Sequence, residues 1–183
     1  MPTNNYSFQR FNHQERNHPV KKLIFASTTA ILLATSLSIS AAEIAVKAVM
    51  VPKEQMRLDF ADGSKHFLLM VRREGRAAGT GPLAGASVTE FGYHDIIPGD
   101  SGDPRGYLVF ALPNGDVAYV KWTVRAVFVS GDDGKPKLLD NGVWEIAGAT
   151  GQLKGLKGAG ILHIRAVSPA DREFELTGEM VQK

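Results

Sequence analysis

The sequence predicts an antiparallel all-β domain, a barrel or a sandwich, and three observations carry that prediction. Beyond residue 43, apolar and polar residues alternate with period two, and no stretch shows a convincing helical spacing. Explicit turn chemistry separates these runs at short intervals. Five glycines crowd into Gly148–Gly160, as strand bends, bulges and close backbone approaches require.

The first element is a targeting segment. Lys21 and Lys22 precede an apolar run from Leu23 to Ile39, followed by Ser40-Ala41-Ala42 and Glu43. A basic head, an apolar middle and small residues before the junction make a secretory signal peptide, with cleavage expected near Ala42. The run is short and carries Ser and Thr, so a permanent transmembrane helix is the weaker reading. Residues 1–19 form a long polar head for such a signal, and Val20-Lys21-Lys22 reads as a more ordinary beginning. The expected organisation is a signal peptide over 1–42 and one domain over 43–183, in the periplasm or secreted.

Removing 1–42 changes the charge. The full chain has 21 basic and 19 acidic residues; the mature chain has 17 and 18, a net of −1. No basic excess remains to contact phosphates, so a nucleic-acid partner is not expected. Neither is a membrane partner once the signal is gone. The chain has no cysteine, hence no disulfide and no attachment point for a lipoprotein acyl anchor. A domain of this length buries a core of its own.

Strands are expected over 43–51, 56–60, 64–74, 84–95, 105–112, 116–129, 138–147, 158–167 and 172–181. Ala61-Asp62-Gly63-Ser64 and Pro113-Asn114-Gly115-Asp116 are hairpin signals, the second stronger because Asn-Gly favours the primed turns. Asp132-Asp133-Gly134-Lys135-Pro136 and the loop from Pro98 to Pro104 are longer polar connections. Along 116–129, Val120, Trp122, Val124, Ala126 and Phe128 share one face, the natural wall of an apolar interior. Tyr119, Lys121, Thr123 and Arg125 share the other. Residues 107–112 are apolar on both faces, which suggests cover from outside by another subunit or a terminus; a homo-oligomer, dimer or trimer, is the expectation from the first.

Three motifs lack their required context. Gly99-Asp100-Ser101-Gly102-Asp103 is similar to the nucleophile loop of chymotrypsin-like proteases, with His66 and Asp95 upstream. The local context of the protease histidine is missing, however, and one small barrel cannot supply two. Gly79-Thr80-Gly81-Pro82-Leu83-Ala84 fits a dinucleotide fingerprint formally but leads into a strand, with Pro82 inside it. The Gly148–Gly160 run lacks the Gly-Lys-Ser/Thr ending of a phosphate loop. No metal site or cofactor is expected, since His66, His94 and His163 fall on three different strands. Glu90 and His94 share a strand face by parity and form the candidate catalytic pair, an acid/base couple or a ligand set. Tyr93, Trp122, Phe128, Trp144 and Arg125 are the candidate ligand-binding residues, Arg125 as an anion anchor.

The segment Trp144–Gly160 resembles the glycine-rich C-terminal strand pair of the allene oxide cyclase and dirigent barrel superfamily. Gly148-Ala149-Thr150-Gly151 stands for its Gly-Gly-(Ser/Thr)-Gly, with Ala149 in place of the second glycine. Leu153 and Gly155 follow, then Gly158 or Gly160, and Phe174–Gly178 resembles the closing strand. The resemblance covers the last forty residues or so, and implies a single eight-stranded antiparallel barrel with an apolar cavity, often trimeric. For the acidic residue that plant cyclases use near their first strands, Glu54 is the nearest by position. Three functions are thereby expected to compete: a binder of a small hydrophobic or aromatic molecule, a cyclase- or isomerase-like enzyme using the same cavity, and a non-catalytic structural or interaction barrel. The binder ranks first because no convergent acid/base set beyond Glu90 and His94 is legible.

Overall fold

The computed structural model describes residues 41–132, 134 and 136–182; the segment expected to be a signal peptide, 1–42, lies outside them except for Ala41 and Ala42. The strands are β1 (Ala42–Asp59), β2 (Phe67–Arg76), β3 (Ala78–Thr80), β4 (Ser87–Ile97), β5 (Ser101–Gly102), β6 (Arg105–Ala111), β7 (Val117–Ser130), β8 (Pro136–Ala149), β9 (Leu156–Ala166) and β10 (Arg172–Gln182). Every pairing is antiparallel, and β1 joins β10 to close the sheet into a barrel. Eight long strands form the wall. The short β5 continues the line of β6 between β4 and β7, and β3 lies along the first half of β1.

The first two expected strands, 43–51 and 56–60, are one. Pro52 donates no ladder hydrogen bond, which in sequence reads as a break. Here it sits where the β1–β2 register shifts between Pro52 and Glu54, an irregularity of the kind that tolerates proline within a strand. The first half of β1 pairs with β10 and the second with β2, so this strand turns the corner that closes the barrel. The Asn114-Gly115 hairpin forms as expected: Gly115 has φ +88°, and Leu112 N–H donates to the Asp116 carbonyl at 2.8 Å.

Alternation along each strand sends one residue set inward. On β7 the inward set is Ala118, Val120, Trp122, Val124 and Ala126, all buried. Trp122 and Trp144 are direct partners across β7 and β8, and on either side of them the register row continues in glycines. Gly106 and Gly92 follow Trp122, and Gly160 and Gly178 follow Trp144. A Cβ on Gly160 or Gly178 would press on the Trp144 indole, at 2.8 Å and 2.9 Å. The bare backbone is what admits two indoles side by side within one narrow barrel. With Phe110, Phe174, Leu108, Leu162 and Leu176 they pack the middle of the interior. Leu108 and Phe110 face this core while Tyr107 is exposed, which settles the strand that read as apolar on both faces.

Candidate functional site

The aromatic packing does not extend to the barrel end formed by the start of β2, the end of β4, the end of β7 and the starts of β8 and β10. Phe67, Leu69, Ile96, Pro98, Phe128 and Leu138 ring a pocket of about 260 Å³ there, with His94 and Arg172 as its polar lining. The walls are apolar because these positions continue the inward parity of strands whose outward positions carry the charges. Lys121 pairs with Glu145, Arg125 with Asp103 and Arg165 with Glu173 on the outer surface.

Below the pocket lies a buried ionic cluster. Glu90, Gly92 and His94 are consecutive inward positions of β4, and Arg73 on β2 is the register partner of Glu90. Arg73 donates from Nη1 to Glu90 Oε2 at 2.8 Å. Glu90 Oε1 lies 3.1 Å from His94 Nε2, which is also 3.3 Å from Arg73 Nη1. One nitrogen cannot both donate to Glu90 and accept from Arg73. With a proton on Nε2, His94 donates to the carboxylate and turns Nδ1 away from it; without one, it accepts from Arg73. Gly92 makes the meeting possible. A Cβ at that position would overlap Glu90 Oε1 and stand 2.7 Å from His94 Nε2. The His94 ring also lies 5.9 Å from that of Trp122.

Two further charged groups face this interior. Asp140 on β8 pairs across to the buried Ala126, and burial pushes its carboxyl up to about 6 despite the nearby Arg172 guanidinium. Burial also lowers Arg172, and repulsion from Arg73 adds to it; Asp140, Asp171 and Glu90 oppose the shift. Among the described residues, Arg73 Nε, Trp122 Nε1 and Asp140 Oδ1 are buried without a hydrogen-bond partner. Buried polar atoms are nearly always paired, so these three are exceptions within a packed interior.

Glu90 and His94 thus meet as their parity predicts, and Phe128 lines the pocket. Trp122 lies beneath, beside His94. Trp144 is equally buried but belongs to the packed middle, where its Nε1 donates to the Thr177 carbonyl at 3.1 Å. Tyr93 and Arg125 correct the expectation. Tyr93 stands between the inward Gly92 and His94, so the pleat turns it outward, where the Arg105 guanidinium stacks over its ring at 4.5 Å. Arg125 lies outside between inward Val124 and Ala126, bound to Asp103 at 2.6 Å. Glu54 is likewise on the outer surface, paired with Arg72 at 2.8 Å. Sequence reasoning missed Arg73, Asp140 and Arg172. Alternation requires one of Arg72 and Arg73 to face inward, but only the register with β4 decides which.

The protease-like loop has no triad. His66 bonds Asp95 at 2.5 Å, but Ser101 Oγ donates to Asp100 at 2.8 Å. Among the described residues, no three His, Asp or Glu side chains converge to hold a metal ion.

Fold and site together define an eight-stranded antiparallel barrel, packed through its middle and open to an apolar pocket over a buried ionic cluster. Compared with known proteins, the chain matches no family model and no curated protein. Among solved structures it is similar to a protein of unknown function from Clostridium acetobutylicum ATCC 824. That match has 8% identity and a TM-score of 0.53, and covers 76% of this chain and 99% of that one. The pterocarpan synthase dirigent protein GePTS1 aligns at 10% identity and a TM-score of 0.48, over 87% and 99%. A DUF3224-family protein of unknown function from Shewanella oneidensis MR-1 aligns at 13% and 0.47, over 79% and 99%. At 8% identity, the likeness to the Clostridium protein is one of fold.

Proposed function

We propose that this barrel binds a small hydrophobic or aromatic molecule in the pocket at its open end. One observation carries the reading: aromatic packing stops short of that end, leaving about 260 Å³ of apolar-walled space above a cluster of fully buried charge. A barrel that served only as a rigid scaffold would lose little, or gain stability, by replacing both Arg73 and Glu90 with apolar side chains. Concave apolar sites with a few convergent polar groups are where small ligands bind.

Native mass spectrometry of the protein purified from cells expressing the full chain tests this. A small molecule should travel with the barrel, or one from a panel of small aromatic and short-chain compounds should add to it. An unshifted mass with every member would instead favour a barrel that serves structure or protein interaction alone.

A second reading is favoured by the His94–Glu90 contact. A histidine that reaches the pocket, oriented from behind by a buried carboxylate, is arranged for general acid/base proton transfer, as an isomerase or cyclase needs. In that case His94 transfers the proton and Glu90 positions it. Turnover of a bound compound that His94→Gln abolishes, with binding intact, would establish it. Export directed by residues 1–42 and self-association through the outer face near Tyr107 complete the proposal. A monomeric mass by light scattering would remove the second of these.

A further inference from the structure

We propose that the pocket selects anions: its ligand is a small acid, one ring or a short chain bearing a carboxylate or sulfonate-like group, with the acid group on Arg172. The inference rests on the binding function proposed above and names the ligand class.

Arg172 opens β10 opposite Met50 and, among the described residues, is the only fixed cation lining the pocket. Its Nη1 donates to two backbone carbonyls, Asp171 at 2.8 Å and Ser168 at 3.2 Å, which hold the guanidinium at the rim. Carbonyl dipoles orient a guanidinium but do not neutralise it. Among the described residues, no carboxylate lies within ion-pair distance of Arg172, whereas Arg73 deeper in the interior has Glu90 at 2.8 Å. Its nearest acidic neighbours do not make up the difference. Asp140 Oδ1 has no hydrogen-bond partner and Arg172 donates only to carbonyls, while Glu90 is committed to Arg73 and His94. A half-buried guanidinium with remaining donors, beside apolar walls, matches an amphipathic anion, because Arg binds planar or multi-oxygen acids through paired hydrogen bonds. A neutral ligand would cover Arg172 without neutralising it, at a desolvation cost. Size narrows the class further: about 260 Å³ lies below the range of drug-sized ligands.

The test compares 4-methylbenzenesulfonate, ionised at every working pH, with 4-methylbenzyl alcohol, which has the same ring and no charge. Calorimetry on the wild-type protein should find the sulfonate about tenfold tighter or more, as a charge-assisted pair in a partly dry site provides. Arg172→Gln should remove that advantage by weakening the sulfonate, while Arg172→Lys keeps most of it. Asp140→Asn, which removes a competing carboxylate, should tighten the sulfonate alone. Circular dichroism of each variant checks the fold. If the alcohol binds as tightly as the sulfonate, or Arg172→Gln leaves the preference intact, anion selection is wrong while the pocket stands. If neither probe binds and neither moves the amide resonances of Phe128 and Leu138, the binding function fails and the ligand class with it.

Discussion

Trp144 lies directly over Gly160, its register partner on β9, and the glycine's missing side chain is the space the indole occupies. The end of the glycine-rich segment, from Leu156, is therefore strand and not loop: it is part of the wall against which one of the two core indoles rests. A Cβ on Gly160 would also overlap the Thr177 carbonyl oxygen, part of the backbone that cannot yield without breaking the β9–β10 ladder. Gly160→Ala should cost at least about 3 kcal/mol or prevent folding. Gly148→Ala, where a Cβ would meet only the Tyr119 ring at 3.9 Å, should cost no more than about 1 kcal/mol. Urea denaturation of the two variants, with tryptophan emission as a second probe, separates them.

The Arg73–Glu90 pair predicts a non-additive result. Glu90→Leu leaves a guanidinium buried without its carboxylate and should cost about 3–5 kcal/mol. Arg73→Met together with Glu90→Leu should recover most of that loss, or exceed wild-type stability, while ligand affinity falls. A double-mutant cycle by chemical denaturation measures the coupling. A double variant as unstable as Glu90→Leu would mean that the pair is held by its surroundings rather than by its own charges.

Gly92 keeps Glu90 and His94 in contact, so Gly92→Ala should separate them without touching any charge. The loss in stability should be about 1–3 kcal/mol, the cost of a buried polar group left short of its partner. Nitrogen-15 spectra of the imidazole give the sharper readout. The wild type should hold the Nε2–H tautomer that donates to Glu90, and the variant a mixture of both tautomers.

Asp140 imposes a pH dependence of defined sign. Its carboxyl sits near 6 in the folded protein against an ordinary 3.8, so the folded state holds the proton more tightly than the unfolded one. This group's contribution is then fully favourable below about pH 4 and is lost as pH rises through about 6. The loss amounts to about 3 kcal/mol at most. Asp140→Asn should be more stable than wild type at pH 8 by up to that amount and nearly equal to it at pH 4. Urea midpoints at pH 4, 6 and 8 check the difference, which isolates Asp140 from the other carboxylates.

How much of this was legible in the sequence follows from the range of each interaction. Alternation is local, so the strands, the Asn114-Gly115 hairpin and the shared face of Glu90 and His94 could be read directly. The same alternation, applied strictly, excludes Tyr93 from a face that holds His94, and Arg125 from one that holds Trp122. Naming them as pocket residues weighed side-chain chemistry above parity. Arg73, Asp140 and Arg172 could not be found this way. Their neighbours are set by the β2–β4 register, the β7–β8 register and the closure of β1 on β10, all long-range pairings. Gly92 carried no turn signal, and its role shows only in the contact made across it.

The binding function itself is tested most directly by titrating a panel of small aromatic acids and alcohols into the nitrogen-15-labelled protein and following its amide spectrum. Saturable shifts at Leu69, Ile96, Phe128, Leu138 and Arg172, with those of Gly160 and Gly178 unmoved, are the expected result. Their absence for every compound, or saturable shifts confined to the outer face, would contradict the pocket as the seat of function.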